Sequence, residues 1–218
     1  MKTNQDLKNA ALEALRGNWA PAVVCTIIYL LLSVGISLLQ PNIDDPTAAL
    51  TGAQKIMMVA NVLLLFLVMV PLGVGYYQAF KVLFTDGDNK LTANCFRLSF
   101  GNYFKNIAAY LLMCLFIFLW TLLLIIPGII KALAYSMTPF ILKDFPELSV
   151  NQAINLSQKM MKGHKFDYFW LGLSFIGWIL LGLLTLGIGY IWLIPYMYTS
   201  YAAFYEEVKK EYLENTTL

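Results

Sequence analysis

Four long apolar runs decide most of what this chain can fold into. Residues Ala20–Leu39, Ile56–Val70, Ile107–Ile126 and Tyr168–Leu184 contain no Asp, Glu, Lys or Arg. About 20 apolar residues at 1.5 Å rise match a hydrocarbon core roughly 30 Å thick. Each run is therefore predicted to be a transmembrane helix. Composition agrees: only 13% of the 218 residues are charged, against about 25% in soluble domains. No water-soluble core of this size hides so much apolar surface.

The stretch from Leu148 to Tyr205 shows the plan most clearly. An amphipathic segment (Val150, Ala153, Ile154, Ser157, Met160, Met161) precedes Lys162-Gly163-His164, and the apolar run Tyr168–Leu184 follows. A glycine turn, Thr185-Leu186-Gly187-Ile188-Gly189, leads into a second apolar run that ends at Glu206 and Glu207. This pattern predicts a surface helix feeding a membrane hairpin.

Two looser copies precede it. Apolar or small residues lie three, six and ten positions before Gly17, Gly101 and Gly163: Ala14, Ala11, Leu7; Leu98, Cys95, Leu91; Met160, Ser157, Ala153. Asn18, Asn102 or His164 follows each glycine. Glycines at Gly73 and Gly75, at Gly128, and at Gly187 and Gly189 are expected at the hairpin tips. The expectation is an all-α membrane protein: one membrane domain, six transmembrane helices and three repeats, over 3–84, 86–145 and 148–212, each led by an amphipathic interfacial helix. Thr3 or Asn4 is the expected N-cap of the first surface helix, Gln40 to Lys55 a polar loop, and Thr85–Asn89 a turn. The fourth crossing is the least regular, because Pro139 interrupts it. A single helix over Ile107–Leu142, kinked at Pro127, would reduce the count to five.

Charge supplies an orientation. With six crossings, 13 of the 15 Lys and Arg residues fall on the side of the termini, and only Lys55 and Lys131 fall opposite. The positive-inside rule then puts both termini in the cytoplasm. Trp19 and Trp170 near one boundary, and Trp120 and Trp192 near the other, fit the interfacial preference of indole, whereas Trp178 is expected to pack at depth. The first run lacks a cleavage pattern, so it is expected to persist in the mature protein.

The residues that carry a resemblance are Leu156-Ser157-Gln158-Lys159-Met160-Met161-Lys162-Gly163, Leu173-Ser174-Phe175-Ile176-Gly177-Trp178 and Leu184-Thr185-Leu186-Gly187-Ile188-Gly189, with Pro195-Tyr196 and Ala202-Ala203-Phe204-Tyr205. On these the chain resembles a family of bacterial integral-membrane proteins catalogued as domain-of-unknown-function family 975, over nearly its whole length. Pro127-Gly128 and the helix Ala153–Gly163 are also similar to the membrane domain that accompanies some glycerophosphodiester phosphodiesterases. That second resemblance implies a lipid-side context and no catalysis.

Three functional classes are weighed on the residues. An enzyme needs a nucleophile or metal set with a base in reach, yet the chain has one histidine, His164, which reads as a helix-start residue, and no carboxylate deep in a span. The three cysteines, Cys25, Cys95 and Cys114, are widely spaced and suggest neither a disulfide framework nor a zinc site. No cofactor, metal or nucleic-acid partner is expected, and the chain is read as non-catalytic. A carrier would keep ionisable groups in the membrane, and Lys131 is the candidate, with Asn61 as a polar neighbour in the second span. A binding protein for lipid, amphiphile or a partner protein of the membrane or cytoplasm is preferred. Its candidate cleft comprises Asn61, Tyr76, Gln78, Tyr135, Ser136, Tyr196 and Ser200, and the surface helices offer Lys8, Arg16, Lys90, Arg97, Lys159 and Lys162 to anionic lipid head groups.

Overall fold

The computed structural model describes residues 2–41 and 49–216. The central part of the expected polar loop, including Asp44, Asp45 and Pro46, lies outside the described residues. Among the described residues the fold is all-helical: α1 (Asn4–Leu15), α2 (Trp19–Ser37), α3 (Gly52–Asp86), α4 (Leu91–Gly101), α5 (Tyr103–Leu123), α6 (Ile125–Tyr135), α7 (Thr138–Asp144), α8 (Val150–Met160), α9 (Lys165–Leu173), α10 (Ile176–Leu184) and α11 (Tyr190–Thr216). Five segments are long and apolar enough to cross a membrane: Trp19–Ser37, Gly52–Asp86, Tyr103–Leu123, Ile125–Asp144 and Lys165–Leu184. The tyrosine-rich α11 is not among them.

The caps explain where the short helices begin. Thr3 and Ser149 each accept the backbone N–H of the N3 residue and are answered by that residue's side chain, Asp6 or Gln152, which closes a capping box. Both lie 14 positions before Gly17 and Gly163. Before α4 the chain turns at Gly87, whose φ of +67° suits a residue without Cβ. Asp88 then accepts from the Lys90 N–H (3.0 Å) and from Asn94 Nδ2 (2.9 Å). The Asn94 bond and the Lys90 amide hold its carboxyl below the ordinary 3.8. Thr85–Asn89 is thus helix end plus capping turn.

Burial in the surface helices follows a four-residue spacing, with one correction to the expected register. The fully buried sets are Leu7, Ala11, Leu15 in α1; Leu91, Cys95, Ser99 in α4; and Ala153, Ser157, Met161 at α8. These positions are ten, six and two before the respective glycines, whereas Ala14 and Leu98 are only half-buried. A step of four stays on one face of a 3.6-residue helix, and the cap geometry selects the last member. The short helices pack on longer neighbours: α4 on α3, α8 on α6 and α7, and α1 on α11.

A second correction concerns hairpin 1. Pro71, Gly73 and Gly75 do not break the chain; they lie inside α3, a continuous helix of 35 residues and roughly 52 Å. Pro71 has no N–H to give the Leu67 carbonyl, and the Tyr103 hydroxyl donates to it instead at 2.9 Å. Gly75 is needed for another reason: a Cβ there would stand 2.5 Å from the Cys95 carbonyl oxygen, so α4 sits directly on the α3 backbone.

Hairpin 2 turns on one extended residue, Leu124 (φ −162°, ψ 145°). Gly128 faces Thr121 so closely that a Cβ would meet the Thr121 Cα at 3.0 Å. Lys131 lies over Trp120, and Tyr135 faces Phe116 at 6.2 Å between centroids. Pairs whose numbers sum to nearly the same value mark an antiparallel hairpin, which rules out the single kinked helix. Hairpin 3 pairs likewise, with the Tyr168 and Phe204 rings 5.1 Å apart, those of Phe175 and Tyr196 5.2 Å apart, and the Tyr190 hydroxyl donating to the Ile179 carbonyl. Its tip turns at Leu186 and Gly187, both with positive φ.

Candidate functional site

The second hairpin helices, α3, α6–α7 and α11, meet at the centre, and their sequence alternates rings with small residues there. Phe80, Phe140 and Phe204 are fully buried, one from each hairpin. At the ends of these helices a charged cluster ties all three together. The Lys81 ammonium pairs with Asp144 and lies 3.4 Å from Glu206; Lys209 bridges Asp144 (2.8 Å) and Glu206 (2.7 Å). The Tyr205 hydroxyl donates to Asp144 at 3.0 Å. Lys81 and Asp144 side chains are only 5% and 11% exposed. Burial lowers the Lys209 pKa, but its bonds to Asp144 and Glu206 outweigh that and leave it raised.

Beside the buried phenylalanines lies a cavity of about 400 Å³. Its wall takes one tyrosine from each of six helices: Tyr29 (α2), Tyr77 (α3), Tyr110 (α5), Tyr135 (α6), Tyr168 (α9) and Tyr198 (α11). Gly73, Ser136, Pro139, Met69 and Met113 fill in between them. Gly73 leaves room for the Tyr29 hydroxyl, which would stand 3.7 Å from a Cβ. Tyr77 and Tyr198 are 4.5 Å apart between centroids. Among the described residues no charged side chain lines this space.

Of the expected cleft, Tyr135 and Ser136 reach the cavity and the rest do not. Tyr76 is buried behind the wall, its ring 5.1 Å from that of Tyr29 and 4.8 Å from that of Tyr198, and its hydroxyl 2.6 Å from Thr26 Oγ1. Gln78 donates to the Pro139 carbonyl at 3.0 Å and so fastens α3 to α7. Asn61 donates to the Ile36 carbonyl at 2.6 Å in hairpin 1, and Ser200 donates to the Tyr196 carbonyl at 2.9 Å in its own helix. Tyr196 faces a separate apolar groove of about 470 Å³, walled by Trp19, Trp178, Trp192, Leu181 and Leu193. Trp178, expected at depth, is 55% exposed there. Tyr29, Tyr110 and Tyr168 lie on α2, α5 and α9, inside apolar runs whose composition does not mark which face turns inward.

Among the expected lipid contacts, Arg16, Lys90, Arg97, Lys159 and Lys162 are exposed. Lys8 is turned inward instead. Its Nζ donates to the carbonyl (3.2 Å) and hydroxyl (3.1 Å) of Ser174, at the break between α9 and α10, and lies 4.4 Å from the Phe175 ring centre. Burial lowers its pKa. His164 stands at the N-cap of α9 without a side-chain cap bond, and its Nε2 lies 3.1 Å from Glu211. Lys131 donates to Gln158 at 2.9 Å and rests on Trp120. No group of His, Cys, Asp and Glu among the described residues is arranged to hold a metal.

No curated protein and no solved structure matches the chain. A family model described as "Protein of unknown function (DUF975)" matches residues 1–133 and 121–212, which together span almost the whole sequence. The chain belongs to that family of unknown function.

Proposed function

We propose that this protein is a non-catalytic membrane protein that holds a lipid or other amphiphile in the tyrosine-walled cavity. The observation that carries the reading is the convergence of one tyrosine from each of six helices on a space of about 400 Å³, the size of a small-ligand pocket. Rings supply apolar contact and hydroxyls supply hydrogen bonds, the combination an amphiphile needs.

The arrangement proposed is a six-span protein of the bacterial plasma membrane with cytoplasmic termini, in three copies over 3–84, 86–145 and 148–212. Support comes from the shared buried positions before Gly17, Gly101 and Gly163 and from the ring closed by α1 on α11. Support for α11 as the sixth crossing comes from its antiparallel pairing with α9 and α10, and from the Lys2–Glu207 ion pair (2.5 Å), which keeps both ends of the chain together. The exposed Arg16, Lys90, Arg97, Lys159 and Lys162 would then face anionic head groups.

Native mass spectrometry of gently extracted protein tests the binding reading. A discrete amphiphile mass is expected, weakened by Tyr135→Leu or Tyr198→Leu and unchanged by Tyr196→Phe, which alters the other groove. A bound mass indifferent to the first two changes would refute it. One observation favours transport as the second reading: a row of rings, Tyr77, Phe140 and Tyr205, runs from the cavity to the charged cluster at Asp144. Substrate-dependent flux in liposomes, altered by Lys131→Met, would establish that reading instead.

A further inference from the structure

The polar end of the ligand can be identified from the wall that would receive it, resting on the amphiphile reading above. We propose that it is an organic ammonium group, held by the tyrosine faces against the break between α6 and α7. Among the described residues the lining offers no Lys or Arg to neutralise a phosphate or carboxylate and no Asp or Glu to attract a hydrated metal ion. What it offers is six electron-rich rings, and ring faces attract ammonium groups, most strongly when water is excluded.

The helix break adds directed negative charge. Pro139 has no N–H, so the Tyr135 carbonyl loses its donor one turn on. The Phe140 N–H bonds to the Met137 oxygen at 3.1 Å, so the Ser136 carbonyl receives no backbone donor either. Both residues line the cavity, at the C-terminal end of α6, where the helix dipole is negative. Two carbonyls without a backbone donor suit a cation and repel an anion.

One ammonium of the chain lies just outside the lining, behind Tyr135. Lys131 Nζ lies 4.7 Å from the Trp120 ring centre and 5.9 Å from that of Tyr135. It is an internal cation at the edge of the site, and its charge opposes a bound ammonium. Removing it should tighten binding, a sign that a merely structural Lys131 would not produce.

The test is calorimetric titration of the full chain in maltoside micelles with two matched pairs: choline with its uncharged carbon isostere 3,3-dimethylbutan-1-ol, and hexyltrimethylammonium with hexanol. The charged member of at least one pair should bind about tenfold more tightly than its partner. Tyr198→Phe should keep this preference and Tyr198→Leu should lose it. Tyr110→Leu, at a position 40% exposed, serves if Tyr198→Leu does not fold, and Lys131→Met should strengthen binding. Preference in the choline pair identifies a free organic cation; preference in the hexyl pair alone identifies the head group of an amphiphile. Equal binding within both pairs overturns the ammonium while leaving the amphiphile reading intact. A preference that survives both Leu variants also overturns it. Binding by no member of either pair defeats both readings.

Discussion

At the residue scale, two glycines of this chain should respond oppositely to one added methyl group. At Gly75 a Cβ would meet the Cys95 carbonyl at 2.5 Å and the Ser99 hydroxyl at 2.0 Å. The hydroxyl can rotate, but the carbonyl belongs to the α4 backbone, so α3 and α4 must part. Gly75→Ala should cost about 1–3 kcal/mol. Gly35 lies inside α2 with nothing within 4 Å of its Cβ position, so Gly35→Ala should stabilise by roughly 0.5–1 kcal/mol. Thermal unfolding of the two variants in the same detergent checks both signs. Nothing in the local sequence separates these glycines, since both sit in apolar helical runs.

At the element scale, the break between α6 and α7 depends on a residue from another helix. Ser157 Oγ donates to the Ala134 carbonyl at 2.7 Å and accepts from the Met137 N–H at 3.2 Å, which satisfies backbone groups that cannot meet water in a membrane. Ser157→Ala leaves both buried and unpaired, and should cost about 1–3 kcal/mol. The corresponding residue of α4, Cys95, sits on the unbroken α3 and makes only a weak contact, 3.9 Å to the Leu72 carbonyl. Cys95→Ala should therefore cost less than Ser157→Ala in the same unfolding assay. Proline position alone misled the reading of hairpin 1: Pro71 stays helical because Tyr103 answers the freed carbonyl, and Tyr103 is 32 residues away.

At the scale of the whole molecule, the cluster of Lys81, Asp144, Glu206 and Lys209 joins the three hairpins where they meet. Asp144 receives Lys81, Lys209 and Tyr205, so Asp144→Ala leaves two ammonium groups to share Glu206 in a mostly buried place. That change should cost about 3–5 kcal/mol. Lys81→Met combined with Asp144→Leu leaves Lys209 paired with Glu206 and should recover much of the loss, because apolar replacements of buried ion pairs are often neutral. Unfolding midpoints of the single and double variants give the comparison. If the single change is harmless, the cluster is a solvated rim and does not hold the bundle shut.

The sequence by itself determined the helices long and apolar enough to cross a membrane and the short helices between them, though not the four-residue register in which the short ones bury. These follow from local quantities: run length, charge-free composition, caps and helical period. It located Tyr135 and Ser136 in the cavity because their neighbours on α6 mark a second hairpin helix. Which other tyrosines converge was decided by tertiary structure. Tyr76 and Tyr77 are adjacent in the chain and point to different sides of α3, one to Thr26 and the other to the cavity. Lys8 likewise reads as a free interfacial charge until α1 docks on α11 and brings it to the Ser174 break. Rotation of a helix about its axis depends on what packs against it, and that information lies in residues far away along the chain.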